Sequence, residues 1–322
     1  MSVRSVPAHG GFVPLKRQGT DRRGSGDFGK KRCGGDVAKR LGSRSAGRKE
    51  TGETDMEQPL SVVLKRKRLF VFDMDGTLYL GNSVLPGAVD FVRRLRAEGR
   101  KVLFFTNNAS HNPAFYYEKL EKMGFAPQKG EVLTSGDVTA EFLLRHRRGK
   151  PVYAVGTPEL EEQLKQYGIV LKEQADIVLT SFDTTLTYRK LEHACRLIRS
   201  GAEFLATHPD FNCPTEDGFI PDSGAIAALI TASTGKTPVF FGKPCRSALD
   251  MICELTGVQP EDAVIFGDRL YTDIALGRRN GVTAVLTLTG ETTRDEAEQA
   301  EPEERPDYLV EAMSEAFSAM FS

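Results

Sequence analysis

The chain has 322 residues, of which 40% are hydrophobic and 27% charged, and its formal net charge is −1. These values are typical of folded globular proteins and exclude collagen, coiled coils and wholesale disorder. No apolar run approaches the roughly 18 residues that a membrane-spanning helix needs. The N-terminal sequence also lacks the apolar stretch of a secretory signal. We therefore predict a cytoplasmic protein without a membrane partner.

The charge is unevenly distributed along the chain. Residues 1–50 carry 13 Lys and Arg against 4 Asp and Glu, whereas the remaining 272 residues carry 30 against 40. The basic segment also holds 10 of the 31 glycines and has little apolar periodicity, which predicts a disordered extension over residues 1–64. An alternative hypothesis is that translation starts at Met56. The acidic remainder argues against a nucleic-acid partner.

The cysteines form no CxxC pair, so a zinc site or a disulfide framework is not indicated. In a cytoplasmic protein this pattern predicts reduced thiols. The five residues concerned are Cys33, Cys195, Cys213, Cys245 and Cys253.

Short apolar runs alternate with amphipathic stretches from Leu69 onwards. Uninterrupted apolar runs favour strands that are buried on both faces of a parallel sheet. Between them, apolar residues recur at helical spacing, as at Ala88, Val92 and Leu95, before Gly99 ends the pattern. The alternation predicts an α/β fold with right-handed crossovers. The predicted strands are Leu69–Phe72, Val102–Phe105, Val152–Val155, Ile177–Leu179, Phe204–Ala206, Val239–Phe241, Ala263–Phe266 and Thr283–Leu288.

Polar residues follow four of these predicted strands. Ligands of parallel sheets bind at the carboxyl ends of the strands, so these groups converge if the four strands are neighbours. Clustered carboxylates need a cation, and an all-oxygen set suits Mg²⁺. One carboxylate can attack phosphorus and a second can move the proton, while lysine and hydroxyl groups stabilise phosphoryl oxygens. The residues are Asp73, Asp75, Thr106, Asn107, Asn108, Lys243, Asp268 and Asp273.

The segment Asp73-Met74-Asp75-Gly76-Thr77 resembles the DxDGT signature of the haloacid dehalogenase (HAD) superfamily. Thr106, Lys243 and the pair Asp268 and Asp273 match its second, third and fourth motifs in order. The surrounding sequence is similar to that of the NagD-like, p-nitrophenyl phosphatase branch (HAD-IIA), whose members carry a type C2 cap. Supporting segments are Leu85-Pro86-Gly87-Ala88, Ala206-Thr207-His208-Pro209-Asp210, Gly242-Lys243-Pro244 and Gly267-Asp268-Arg269.

The resemblance implies a role for each matching residue. Asp73 is the expected nucleophile and a Mg²⁺ ligand, and Asp75 the general acid and base, with its backbone carbonyl on the metal. Asp268 is expected to bind Mg²⁺ directly, with Asp273 beside it, orienting Lys243 or metal-bound water. The residues expected to bind the substrate or its phosphate are Thr106, Asn107, Asn108, Lys243, His208 and Asp210.

Thr106 and Lys243 are 137 residues apart, which is too long for one crossover. Residues 149–238 have their own alternation of strands and helices, and we predict that they form a second, smaller α/β domain. By resemblance this is the C2 cap, inserted into a Rossmann-like core of residues 65–148 and 239–322. Such a cap excludes water and contacts the leaving group.

The candidate cap contacts are Asp183, Tyr188, His208 and Asp210. The branch often has Asn where His208 stands, and a Gly-rich segment where Pro221-Asp222-Ser223-Gly224 stands. These departures leave the substrate open. Arg269 is predicted to be salt-bridged or at the surface rather than in contact with substrate.

The resemblance implies a Mg²⁺-dependent phosphatase that acts through an aspartyl-phosphate. Its substrate is a small phosphomonoester, such as a sugar phosphate, phosphoglycolate, pyridoxal phosphate or a nucleotide, and a homodimer is compatible with the branch. A phosphomutase uses the same core. A phosphonatase would need a Schiff-base lysine in the cap, where Lys165, Lys172 and Lys190 stand without special context. A non-catalytic HAD-like binding module is the remaining alternative.

Overall fold

The computed structural model describes residues 32–33, 58–215 and 218–322 of the protein. The strands are β1 (Arg32–Cys33), β2 (Leu69–Phe72), β3 (Tyr79–Leu80), β4 (Ser83–Val84), β5 (Lys101–Thr106), β6 (Val132–Thr134), β7 (Val152–Val155), β8 (Ile177–Thr180), β9 (Glu203–Ala206), β10 (Asn212–Thr215), β11 (Gly218–Pro221), β12 (Val239–Phe240), β13 (Ala263–Gly267), β14 (Thr283–Thr287) and β15 (Tyr308–Val310).

Eleven α-helices are described, with a 3₁₀ turn at Pro260–Asp262 and a π-helical turn at Leu270–Ile274. The helices are α1 (Leu60–Arg66), α2 (Ala88–Ala97), α3 (Pro113–Lys122), α4 (Ser135–His146), α5 (Pro158–Gln166), α6 (Tyr188–Arg199), α7 (Ser223–Thr234), α8 (Arg246–Thr256), α9 (Ala275–Asn280), α10 (Arg294–Glu298) and α11 (Met313–Phe321). Within the described part of the chain, no helix combines the length and the apolarity that crossing a membrane requires.

The larger sheet has six parallel strands in the order β15-β14-β13-β2-β5-β6. Strand β2 lies near its centre, where Val71 stands opposite Ile265 of β13 and Leu103 of β5. All four residues of β2 are buried, as expected for a strand covered by helices on both faces. The carboxyl ends of β13, β2 and β5 are therefore adjacent, which brings three of the four motifs together.

A second parallel sheet has five strands in the order β1-β12-β9-β8-β7. With the helices α5, α6 and α7 it forms the smaller α/β layer that the sequence predicted between the second and third motifs. The fold is thus a HAD-like α/β core with an inserted cap, as predicted. The exact domain limits remain a prediction.

One strand lies in a different sheet from the one expected. The run Val239–Phe241 was predicted to neighbour the other motif-bearing strands, but β12 pairs with β9, with Val239 opposite Leu205. Lys243 therefore enters the site from the cap sheet and not from the core sheet. An apolar run indicates a buried parallel strand, but it does not specify which sheet the strand joins.

The predicted disordered extension over residues 1–64 is too long at its carboxyl end. Helix α1 begins at Leu60, and Leu64 is buried against helix α11. The hydroxyl of Tyr308 donates a hydrogen bond to the carbonyl of Gln58 at 2.7 Å. The apolar face of this short helix is what the charge-based prediction overlooked. Apart from β1, the rest of the predicted extension lies outside the described residues.

The prediction of five free thiols is wrong for one pair. Cys33 of β1 and Cys245, which follows the third motif, form a disulfide across 212 residues of sequence. No local spacing pattern signals a pair that far apart, because only the alignment of β1 along β12 brings the two residues together. Cys195, Cys213 and Cys253 are free thiols.

Candidate active site

The first motif lies in the loop after the central strand β2. The Asp73 amide donates a hydrogen bond to the Phe266 carbonyl at 2.9 Å, which fixes the start of this loop on β13. Gly76 has φ +87°, and a Cβ on it would lie 2.5 Å from Asp268 Oδ2. Only glycine allows the backbone both this conformation and this close approach. The turn thus places Asp73 and Asp75 beside the fourth motif.

Lys243 links the first and fourth motifs. Its Nζ lies 2.5 Å from Asp73 Oδ1 and 2.7 Å from Asp273 Oδ1, and it also donates to the Phe105 carbonyl at 3.0 Å. The side chain is 2% exposed. Burial lowers the Lys243 pKa, but Asp273 and Asp73 raise it more, so the net shift is upward. The ammonium therefore stays charged between two carboxylates.

Asp268 completes an acidic cluster with Asp73 and Asp273, whose ligand oxygens lie within 4.8 Å of one another. Asp268 Oδ2 accepts a hydrogen bond from the Glu291 amide at 2.8 Å, but its buried Oδ1 has no hydrogen-bond partner within the described residues. Burial raises the pKa of Asp268 to about 8. It likewise raises the pKa of Asp73 to about 6, although Lys243 opposes the shift. Burial therefore disfavours the ionised form of both carboxyl groups.

Asn107 ties the core to the third motif and to the cap. Its Oδ1 accepts from the Lys243 amide at 2.8 Å, and its Nδ2 donates to the Lys243 carbonyl at 2.9 Å and to Asp210 Oδ2 at 3.1 Å. These bonds fix the backbone that carries Lys243. Next to it, Thr106 Oγ1 accepts a hydrogen bond from the Asn108 amide at 3.1 Å.

A second cluster of ligand atoms within 4.8 Å lies in the cap and consists of His208, Asp210 and Asp222. His208 Nε2 lies 2.8 Å from Asp222 Oδ1, while its Nδ1 faces the hydroxyls of Thr207 at 2.8 Å and Ser135 at 3.3 Å. The contact between His208 and Asp222 therefore joins the two segments whose sequences differ from the NagD-like pattern. It is fully buried and does not line the cavity, so its predicted contact with substrate is wrong.

Arg269 lies between the core and cap clusters. Its guanidinium is 3.7 Å from Asp210 Oδ2 and 3.1 Å from Glu291 Oε2, with the side chain 14% exposed. The predicted salt bridge is present, but Arg269 also lines the cavity. A surface location is therefore excluded, and the residue joins the two domains around the site.

These groups surround one cavity of about 190 Å³ between core and cap. Two candidate cap contacts lie elsewhere. Asp183 pairs with Lys190 at 2.7 Å, and Tyr188 is 83% exposed. Their polarity suggested a role, but their local partners and position exclude it. The cavity is lined by Asp73, Asp75, Tyr79, Thr106, Asn107, Asn108, His111, Phe115, Tyr116, Lys119, Asp210, Cys213, Pro214, Asp222, Lys243, Arg269, Thr272 and Asp273.

The sequence analysis missed the wall formed by helix α3 and the residues before it. His111 stacks on Phe115, with ring centroids 3.9 Å apart. Lys119 Nζ lies 4.0 Å from the centroid of the Tyr79 ring, and Tyr116 donates a hydrogen bond to the Asn108 carbonyl. None of these residues follows a strand directly, so the strand-end rule could not single them out. Only the i, i+4 spacing of Phe115 and Lys119 and the i, i+3 spacing of Tyr116 and Lys119 hinted at a shared helix face.

Comparison with known proteins agrees with this geometry. A model of haloacid dehalogenase-like hydrolases matches residues 70–170, and a HAD-hydrolase-like model matches residues 240–316. An acid sugar phosphatase of Staphylococcus saprophyticus is 36% identical over 238 residues, covering 73% of this chain and 92% of that protein. A 5'-nucleotidase of Bacillus subtilis is 31% identical, covering 78% and 98%.

Solved structures are similar over the same length. A 4-nitrophenylphosphatase from Thermotoga maritima is 42% identical with a TM-score of 0.77, covering 80% of this chain and 99% of that chain. A glycerol phosphate phosphatase from Mycobacterium tuberculosis, solved in complex with magnesium, is 28% identical with a TM-score of 0.74, covering 80% and 78%.

Fold and site together define a hydrolase with an aspartate-lysine centre under a cap. The chain belongs to the haloacid dehalogenase-like hydrolases, in their NagD-like branch. It is an enzyme of the phosphoric monoester hydrolase class within that family.

Proposed function

We propose that this enzyme hydrolyses small phosphomonoesters with Mg²⁺ as cofactor and Asp73 as nucleophile. One observation carries the proposal: Asp73 Oδ1 lies 2.5 Å from the buried ammonium of Lys243, at the wall of the cavity. An ammonium beside the attacking carboxylate reduces its repulsion of an incoming phosphoryl dianion. The names of the relatives, which include sugar phosphatases, a nucleotidase and nitrophenyl phosphatases, support small substrates.

The acidic cluster fits a magnesium ion. Its donors are all oxygen, and the buried Oδ1 of Asp268 has no hydrogen-bond partner among the described residues. Asp73 and Asp268 would hold the ion through their carboxylates, and Asp75 through its carbonyl. The bound ion would offset the charge of the nucleophile and of the phosphoryl oxygens. The ion pair between Asp273 and Lys243 supports a positioning role for Asp273.

In the first step, an Asp73 carboxylate oxygen attacks phosphorus while the bond from phosphorus to the leaving oxygen breaks. Asp75 gives its proton to that oxygen, and burial, which raises the pKa of Asp75, favours its holding a proton. In the second step, water attacks the phosphorus of the aspartyl-phosphate and Asp75 takes up the water's proton. Inorganic phosphate leaves and Asp73 is restored. Thr106 and Asn108 line the cavity where they can hold phosphoryl oxygens.

The phosphonatase alternative gains no support from the cap. A Schiff-base lysine must face the substrate, but the lysines that line the cavity among the described residues are Lys119 of helix α3 and Lys243, which is paired with Asp73 and Asp273. In the cap, Lys190 is engaged by Asp183 and by the Gly156 carbonyl at 2.8 Å. No cap lysine is therefore placed to form an imine with substrate.

The test is phosphate release by the purified protein. With Mg²⁺ present, we expect turnover of p-nitrophenyl phosphate and of some members of a metabolite phosphate panel. Addition of a chelator should abolish the activity, and excess Mg²⁺ should restore it. A phosphomutase would instead rearrange its substrate with little free phosphate. No phosphate release from any compound in the panel would reject the proposal.

A further inference from the structure

Asp222 presents an unused oxygen to the cavity. The residue precedes helix α7, and its Oδ1 accepts hydrogen bonds from His208 Nε2 at 2.8 Å and from the Ser223 amide at 2.5 Å. Its Oδ2 has no donor among the residues that the structure describes. Asp222 is only 3% exposed, yet it lines the cavity. Because Asp222 lines the cavity, a ligand bound there can supply a donor to this oxygen.

The Asp222 carboxylate is held in a fixed orientation. His208 is locked by the hydroxyls of Thr207 and Ser135 on its other nitrogen. Burial lowers the His208 pKa, but Asp222 and Asp210 raise it more, so that the net shift is upward. The backbone is fixed as well, because the Gly224 amide donates to the Asp210 carbonyl at 2.7 Å. Preorganised polar groups of this kind give orientation and specificity.

The cations that line the cavity have other acidic neighbours. Lys243 pairs with Asp73 and Asp273, Arg269 with Asp210 and Glu291, and the charge of Lys119 acts on Asp75. His111 has its pKa lowered by burial, which favours a neutral ring. In the described part of the chain, Asp222 therefore pairs with none of the cations that line the cavity, and its partner is His208, which contacts Oδ1 and leaves Oδ2 as an acceptor.

This side lies near the reacting groups. Burial raises the pKa of the Tyr116 phenol, and Cys213, Asp75, Asp222 and Asp73 each add to the shift. The phenol is thus within electrostatic range of the nucleophile, the proton donor and Asp222. Because Asp73 and Asp222 line the same cavity of about 190 Å³, the leaving group of a phosphate ester bound at Asp73 shares that cavity with Asp222.

We propose that Asp222 Oδ2 accepts a hydrogen bond from a donor on the leaving group, either a hydroxyl or an ammonium. The enzyme then selects phosphomonoesters that carry such a donor and rejects those that carry a carboxylate there. This inference rests on the proposed phosphatase function. A leaving group without a donor displaces water from this cavity-facing acceptor without replacing its hydrogen bond, and an anionic one brings a like charge against it.

The first test uses the unmodified protein and matched leaving groups. We compare kcat/KM for 2-hydroxyethyl, 2-aminoethyl, ethyl and carboxymethyl phosphate, with glycerol and propyl phosphate as the three-carbon pair. We expect the hydroxyl or the amino ester to exceed both the alkyl and the carboxymethyl ester by about tenfold or more. The preferred donor identifies hydroxyl or ammonium as the recognised group. If kcat/KM for the alkyl esters equalled that for the hydroxyl and amino esters, the inference would be overturned. A higher kcat/KM for carboxymethyl phosphate than for the donor-bearing esters would also overturn it.

The second test is Asp222→Asn, which keeps the shape and the contact with His208 but turns the cavity-facing group into a donor. The ratio of kcat/KM for donor-bearing esters to that for alkyl esters should fall to within about threefold. The kcat/KM for carboxymethyl phosphate should rise relative to that of both kinds of ester. The matched control is Asp183→Asn, another buried cap carboxylate paired with a cation but outside the cavity. Its substrate preference should equal that of the unmodified protein.

His208→Asn tests the positioning role, since it should weaken the preference mainly through KM for donor-bearing esters. An unchanged preference in Asp222→Asn would reject the inference while leaving the phosphatase function intact. Absence of turnover by the unmodified protein on every substrate would instead reject the phosphatase function itself. If Asp222→Asn does not fold, as judged by thermal melting, the substrate series with the unmodified protein decides the question alone.

Discussion

Two clusters of acidic side chains each contribute two carboxylates to the wall of the same cavity, and they differ in how their charge is offset. Each gathers its ligand atoms within 4.8 Å. The core cluster has three carboxylates and one ammonium, whereas the cap cluster has two carboxylates with an imidazole and, nearby, a guanidinium. The core cluster is Asp73, Asp268 and Asp273, and the cap cluster is His208, Asp210 and Asp222.

Because the charge of the two clusters is offset differently, we expect the core cluster to serve the reaction and the cap cluster to recognise the leaving group. The core cluster places three carboxyl groups beside one ammonium, and burial raises the pKa of Asp268 to about 8. The core cluster therefore favours binding a cation. The ionisation of its carboxyl groups can change as the charge on the reacting phosphoryl group changes. The cap cluster carries its own cations, so it is a set of fixed dipoles suited to selecting a leaving group. Substitutions that disturb each cluster in turn therefore separate the two roles.

The largest effect is expected at the nucleophile. Asp73→Asn keeps the side-chain volume but removes the attacking carboxylate, so hydrolysis of p-nitrophenyl phosphate should fall by about a thousandfold or more. The melting temperature should change little by comparison. The matched control is Asp250→Asn, a half-exposed carboxylate paired with Arg246, which should retain full turnover. Substantial activity in Asp73→Asn would remove Asp73 from its proposed role.

A smaller effect is expected when Asp268 is displaced indirectly. A Cβ on Gly290 would lie 2.0 Å from Asp268 Oδ2, so Gly290→Ala must shift that carboxylate. We expect a higher Mg²⁺ concentration at half-maximal activity and about a tenfold lower kcat/KM, measured by magnesium titration. Gly99→Ala serves as the control, because at φ +72° with no atom within 4 Å it adds backbone strain only. An unchanged magnesium requirement in Gly290→Ala would contradict the proposed metal position.

The core site was more predictable from sequence than the cap site. Asp73 and Asp268 directly follow neighbouring buried strands, so strand-end position was enough to bring them together. Lys243 also arrives at the site, but from β12 of the other sheet, because partner choice between strands depends on packing that local periodicity does not encode. The substrate roles of the core residues remain predictions.

In the cap, residue type alone misled the sequence analysis. Asp183 looked like a contact because it is acidic, but Lys190 engages it away from the cavity. From sequence, Asp222 stands out only because its segment differs from the Gly-rich segment of the NagD-like branch. Its position next to His208 depends on the approach of helix α7 to residues 209–210, where a Cβ on Gly224 would lie 2.3 Å from the Pro209 carbonyl oxygen. Contacts between distant segments of this kind are visible only in the folded chain.

The smallest effect concerns stability and pH in the cap cluster. The pKa of His208 is raised in the folded protein above the ordinary value of 6.5, because the carboxylates of Asp222 and Asp210 outweigh the opposing effects of burial and of Arg269. A raised histidine pKa stabilises the fold fully below the unfolded-state value, and the contribution is lost as pH rises through the folded-state value. The melting temperature of His208→Asn should therefore fall below that of the unmodified protein by more at pH 5.5 than at pH 9.

The charge interaction can be isolated with a double-mutant cycle of His208→Asn and Asp222→Asn at both pH values. The coupling between the two residues should be larger at pH 5.5, because the imidazolium is then fully formed opposite the Asp222 carboxylate. A difference of a few degrees, about 1 kcal/mol or more, is enough to resolve it. Equal coupling at the two pH values would show that a neutral histidine holds Asp222 by hydrogen bonding alone, and the self-neutralised character of the cap cluster would then be wrong.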